Sequence, residues 1–158
     1  MTDETTNDAA NQTTAEAQLG NLVDLEAIRD LARRYAHAVW RRNASEAADL
    51  FCEDGVMDMG DREPLVGRAE LLASYEATFA ASSFRPFVHN HVVEIDGDRA
   101  TGTCYLDLRC TVEGTAMKGY GYYEDEYARV PGGWKFRKRV LDMVHYVPDP
   151  DGVAGDDA

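Results

Sequence analysis

Residues 86–112 read PFVHNHVVEIDGDRATGTCYLDLRCTV, and this stretch decides the fold. After Pro86 the apolar residues recur with a period of two on both sides of Asp96-Gly97-Asp98, and Asp-Gly is hairpin-turn chemistry. The spacing predicts two paired strands, Phe87–Ile95 and Ala100–Val112. Downstream, Gly114 marks a turn into a long tyrosine-rich strand, Met117–Arg129. Pro131-Gly132-Gly133 then turns the chain into Trp134–Tyr146. Upstream the period is helical. Leu25, Ile28, Leu31, Tyr35 and Val39 form one apolar stripe over residues 24–42, and Arg29, Asp30, Arg33, Arg34, Arg41 and Arg42 avoid it. Asn43 or Ser45 caps a second short helix, Glu46–Phe51. Val56–Met59 reads as a short strand, followed by a loop with Gly60, Asp61 and Pro64. Gly67 precedes a third helix over residues 68–80, with Leu71, Leu72, Tyr75 and Phe79 on one face. Three helices ahead of four long antiparallel strands, with one short strand among the helices, make an α+β class. The expected architecture is a curved, mostly antiparallel sheet wrapped over helices and enclosing a pocket.

The 158 residues suit one domain. The formal charge is −13, from 29 acids and 16 bases. Residues 1–20 carry Asp3, Glu4, Asp8 and Glu16 with no base, and residues 149–158 carry Asp149, Asp151, Asp156 and Asp157 with no base. Both ends therefore read as unordered acidic tails around a domain at 21–148, because so few apolar groups cannot offset the entropy of ordering. An acidic balance argues against nucleic acid as a partner, which needs clustered Lys and Arg to displace counterions. The N-terminus shows no basic and apolar signal pattern, and no apolar run approaches the ~20 residues of a membrane span. The expectation is a cytoplasmic protein with no membrane partner, its Cys52, Cys104 and Cys110 reduced. No His or Cys spacing suggests a metal, apart from His89-x-His91.

Several segments carry a resemblance to a known family. They are Ile28-Arg29-Asp30-Leu31 with Arg34-Tyr35-Ala36, Asp49-Leu50-Phe51 with Glu53-Asp54-Gly55, and Val66-Gly67-Arg68. Further on they are Asn90 through Ala100, Gly121-Tyr122-Tyr123-Glu124-Asp125, and Gly133-Trp134-Lys135-Phe136. In this order and spacing, over residues 22–147, the chain resembles the SnoaL-like branch of the nuclear transport factor 2-like superfamily. The resemblance implies a cone-shaped α+β barrel whose open end admits a hydrophobic small molecule. It also implies a homodimer and cofactor-free chemistry such as polyketide cyclisation, ketosteroid isomerisation or dehydration. Some members of the family are not catalysts, so fold alone does not give function.

The resemblance is carried over residue by residue. The Asp–His dyad of dehydratase and dehydrochlorinase relatives falls on Trp40 and Pro86, neither of which moves a proton. The phenol of ketosteroid isomerases falls on Tyr35 and their oxyanion-hole acid on Asp125, while their base falls on Met59. The neighbouring Asp58 points to the other strand face. The cyclase aspartate also falls on Asp125, two residues from Tyr123 and on the same face. The expected catalytic pair is therefore Asp125 as acid/base, its carboxyl raised by burial, and Tyr35 as oxyanion stabiliser. The alternative for Asp125 is a salt bridge to Arg137 or Arg139. Trp40, Met59, Asn90, Cys110, Tyr123 and His145 are the expected substrate-binding residues. Asn90 shares a face with Pro86 and Val88, which turns His89 and His91 outward unless a β-bulge inverts the strand. The expected function is a cofactor-free isomerase, cyclase or lyase acting on a hydrophobic cyclic or polyketide-like carbonyl compound. The alternative is a non-catalytic binding module or accessory subunit with the same fold.

Overall fold

The structure is a computed structural model that describes residues 4–152, with side chains from residue 11 onward. Three helices, α1 (Glu4–Trp40), α2 (Ala44–Asp49) and α3 (Arg68–Ala81), pack on a six-stranded sheet. The strands are β1 (Phe51–Asp58), β2 (Leu65–Val66), β3 (Ser82–Asp96), β4 (Arg99–Val112), β5 (Thr115–Val130) and β6 (Gly133–Pro148). Their order is β2-β1-β6-β5-β4-β3. All neighbours are antiparallel except β1 and β6, so the strand that follows the first two helices lies parallel to β6. The α+β class and curved antiparallel sheet hold as expected. The sheet does not close into a barrel. It stays open between β2 and β3, and α3 contacts both β1–β2 and β3. The two-residue β2 escapes a periodicity reading because it is too short to show one.

The apolar stripe of α1 buries Ile28, Leu31, Ala32, Tyr35, Ala38 and Val39. Of the two expected caps, Asn43 holds α2: its side-chain oxygen accepts from the Glu46 N–H at 3.1 Å. Asp24 ties α1 to the sheet. Its carboxylate accepts two 2.7 Å bonds from Arg129 and one of 3.0 Å from Trp134 Nε1. Those donors, Arg129 first, hold its carboxyl down at about 2. The helix runs unbroken through the segment whose composition reads as an acidic tail, and residues 11–23 are exposed along it. At the other end Asp149 is anchored by Lys118 at 2.8 Å, and residues 153–158 of the expected tail lie outside the described residues. No helix among the described residues is long and apolar enough to cross a membrane.

Three bulges, on β3 and β6, aim the side chains of those strands. Asn90, at φ +46°, is the extra residue between His89 and His91 on β3. On β6, Arg137 interrupts the pairing between Phe136 and Lys138, and Val144 interrupts it between Met143 and His145. Each bulge reverses the inward and outward alternation beyond it. The Gly119-Tyr120-Gly121 run of β5 fits the Val144 bulge. A Cβ at Gly121 would lie 2.1 Å from the Asp142 carbonyl oxygen, so no larger residue allows the strands to approach.

Candidate functional site

A cavity of about 450 Å³ opens between α1, α3 and the inner face of the sheet. Val39, Met57, Met59, Leu65, Phe79, Phe84 and Leu106 give it apolar walls. Four hydroxyl residues break this lining from the helices, Ser74 and Thr78 on α3 and a buried pair of phenols. Tyr35 comes inward on the α1 stripe and Tyr75 on the buried face of α3, and their phenol oxygens lie 3.1 Å apart. Tyr123 from β5 adds its ring, set edge-on to Tyr35 with centroids 6.0 Å apart. Burial raises the pKa of all three phenols, so they stay protonated and each keeps a hydrogen to donate. At the mouth, Asp61 lines the cavity and pairs with Arg62 at 3.2 Å. The Gly60 N–H donates to Asp58 Oδ1 at 2.9 Å, which fixes the turn that presents Asp61.

Beneath this aromatic floor lies a buried ion pair. Asp125 and Arg139 sit directly opposite on β5 and β6. Arg139 Nε and Nη2 donate to the two carboxylate oxygens at 2.8 Å each, and both side chains are fully enclosed. The guanidinium carbon lies 3.9 Å from the ring centre of Tyr123, 4.2 Å from Phe136 and 4.6 Å from Tyr35. Nη1 has no polar acceptor among the described residues. The negative faces of these rings stand in for one. Burial pulls the guanidinium pKa down, but the charge and hydrogen bonds of Asp125 more than offset this and keep it cationic.

The network extends one step further. Tyr127 Oη donates to Asp125 Oδ2 at 2.9 Å, and His91 Nε2 lies 2.9 Å from the same hydroxyl. A hydroxyl has one hydrogen, and Tyr127 gives it to the carboxylate. His91 Nε2 must therefore carry the hydrogen that Tyr127 accepts, which fixes the neutral tautomer. Desolvation is the main reason that the His91 pKa falls to about 4. Asp125 opposes the fall, while Arg139, Arg29 and Arg33 add to it. An unfolded histidine titrates near ~6.5. The unfolded chain thus binds more protons than the folded one between these values. The stability contributed by neutral His91 is complete above about pH 6.5 and is lost as pH falls toward about 4. In His91→Gln, whose amide also donates to Tyr127, urea unfolding at pH 7 and pH 5 is expected to show a smaller loss than in the unaltered chain. An equal loss in both would remove His91 as its source.

The sequence-expected residues divide into two groups. Tyr35, Met59 and Tyr123 line the cavity together. Asp125 lies outside the cavity lining, its carboxylate held by Arg139 and Tyr127, so the salt-bridge alternative is the arrangement present. Trp40 sits at the end of α1, 40% exposed, donating from Nε1 to the Pro86 carbonyl at 2.8 Å. Asn90 is the exposed bulge residue, which is why His91, rather than Asn90, turns inward. Cys110 is buried behind Tyr146, its sulfur 3.2 Å from that hydroxyl. His145 stacks on Tyr120 away from the cavity, because the Val144 bulge turns it outward. Sequence reasoning missed Tyr75, Tyr127 and His91. Tyr75 carried a signal, a phenol on an apolar helix face, since a buried Tyr hydroxyl usually seeks a partner. No group of His, Cys, Asp and Glu among the described residues is arranged to hold a metal ion.

No individual curated protein matches the chain. Among solved structures it is similar to an NTF2-like protein with a cystatin-like fold from Novosphingobium aromaticivorans. That similarity is 27% identity over 84% of this chain and 89% of the other, with a TM-score of 0.73. A protein from the same organism, proposed to be an aromatic ring hydroxylase, is 29% identical over 82% of this chain and 96% of its own, with a TM-score of 0.76. A type 2 hexachlorocyclohexane dehydrochlorinase, LinA, shares the fold at a TM-score of 0.80. It is 20% identical over 89% of this chain and 99% of its own. The sequence itself matches the SnoaL-like domain over residues 21–140, which takes in the α1 stripe, the phenol pair and the Asp125–Arg139 pair. The chain therefore belongs to the SnoaL-like domain family.

Proposed function

We propose that the chain is a cofactor-free enzyme of isomerase, cyclase or lyase type. Its substrate is a small hydrophobic carbonyl compound, cyclic or polyketide-like, bound in the cavity between α1, α3 and the sheet. The observation that carries this reading is the Tyr35–Tyr75 hydroxyl pair, set in apolar walls above a buried cation. A carbonyl oxygen placed against Tyr35 Oη accepts its hydrogen bond. When a proton leaves the adjacent carbon, the electron pair of that C–H bond moves into the carbonyl and forms an enolate. Its oxygen is then held by the phenol in a water-poor site, where such a bond counts most. Asp61, the acidic residue lining the cavity, takes the proton and returns it to the same or another carbon. Asp125 acts through Arg139, by keeping that cation in place under Tyr35. A homodimer belongs to the same reading. Tyr105 and Tyr120, 42% and 50% exposed, support it, and sedimentation equilibrium checks it.

The test is hydrogen exchange in D2O with a panel of cyclic ketones, read by mass spectrometry alongside thermal-shift binding. The expected result is catalysed deuterium incorporation next to the carbonyl, reduced roughly a hundredfold or more in Asp61→Asn. Ketones that raise the melting temperature but gain no deuterium would replace this reading with that of a binding module.

A further inference from the structure

A second cavity, of about 340 Å³, opens between α1 and β3, and no acidic residue is among its lining. In a chain of charge −13 this is a local exception. Arg29 and Arg33, one turn apart on α1, face His89, Asn90 and His91 around the β3 bulge. Two of these basic groups are already engaged. Arg33 pairs with Glu26 at 2.7 Å, and His89 lies 3.4 Å from Asp107. Arg29 is half-buried and forms no hydrogen bond or close ion pair with the described residues, its charge being felt only at longer range by Glu26, which is bonded to Arg33. The bulge that sets this wall is built on Asn90, a residue type that tolerates its left-handed backbone and that leaves its own amide at the rim.

His91 adds a directional requirement. Its Nε2–H is committed to Tyr127, so Nδ1 carries a lone pair, and that atom has no hydrogen-bond partner among the described residues. An oxyanion drawn in by Arg29 meets this lone pair with repulsion unless it brings a hydrogen. A fully deprotonated anion such as sulfate brings none near neutral pH, whereas hydrogen phosphate and dihydrogen phosphate do. We propose that the cleft between α1 and β3 is a binding site for a hydrogen-bearing oxyanion of the phosphate type. Arg29 receives the negative oxygens and His91 Nδ1 accepts the acidic hydrogen. The site is separate from the carbonyl cavity and stands whether or not that cavity is catalytic.

Inorganic phosphate and sulfate, two tetrahedral anions of similar size, provide the test on the full chain at pH 6.5. Ionic strength is fixed with sodium chloride, and amide and imidazole NMR shifts are followed. Phosphate is expected to give saturable shifts at Asn90 and His91, with sulfate at least tenfold weaker. In Arg29→Gln, whose retained fold is checked by an otherwise unchanged spectrum, phosphate affinity is expected to fall at least tenfold. Equal response to the two anions, or an unchanged affinity in Arg29→Gln, would overturn the proposal.

Discussion

Asp125→Leu is expected to destabilise the chain by about 3–5 kcal/mol in urea unfolding, because it strands the fully enclosed Arg139 cation without its counter-charge. Arg139→Met should cost a similar amount for the converse reason, leaving a buried carboxylate whose remaining donor is Tyr127. The combined Asp125→Leu/Arg139→Met chain is expected to recover most of the loss. Taking two charges out of water costs several kcal/mol per ion, and apolar groups of similar volume avoid that cost altogether. The coupling should be large because the residues are direct cross-strand partners with two 2.8 Å bonds. This cycle also separates the two readings of Asp125. A residue that works as an acid/base on substrate can be replaced with little loss of stability and full loss of turnover. A residue that holds a buried cation cannot. A single Asp125→Leu change costing less than about 1 kcal/mol would return Asp125 to the substrate side of the floor.

The case of Asp125 also shows where sequence reading succeeds and where it stops. The period of two around Asp96-Gly97-Asp98 and the 3.6 period of α1 made the fold class legible, because each reflects burial of one face. Tyr35 and Tyr123 were legible as cavity residues from an apolar stripe and a strand face read together with the family resemblance, and Met59 from the resemblance alone. What failed was parity along the strands. Asn90, Arg137 and Val144 each insert one residue, and nothing in residue type announces an insertion in a strand. Each insertion exchanges faces beyond it, so His91 turns in where Asn90 was expected, Arg139 turns in to meet Asp125, and His145 turns out. Trp40 is a different case. It lies at the last residue of α1, where the apolar stripe ends, and its indole N–H is drawn to the Pro86 carbonyl rather than to the cavity.

Tyr35→Phe is expected to lower the rate of ketone α-hydrogen exchange by roughly 10²–10³-fold, the usual effect of removing one oxyanion donor. Ground-state binding, read by thermal shift, should change far less, because a neutral carbonyl gains less from the phenol than an enolate does. Which hydroxyl of the pair is free to donate decides the size of each effect. Each phenol has one hydrogen, and at 3.1 Å one of them gives its hydrogen to the other. Arg139 lies 4.6 Å from the Tyr35 ring centre, so its charge polarises Tyr35 toward giving up its proton. Tyr75 is then the internal donor. Its O–H supports the Tyr35 oxygen as negative charge is drawn toward it, and the Tyr35 hydrogen is left for the ligand. On this assignment Tyr75→Phe weakens the donor without removing it, and a loss of about tenfold follows from one neutral hydrogen bond. Because the two hydroxyls act in series, Tyr35→Phe/Tyr75→Phe should be little worse than Tyr35→Phe alone. If Tyr75→Phe proves the more damaging change, the direction of the bond is reversed and Tyr75 is the group that meets the carbonyl.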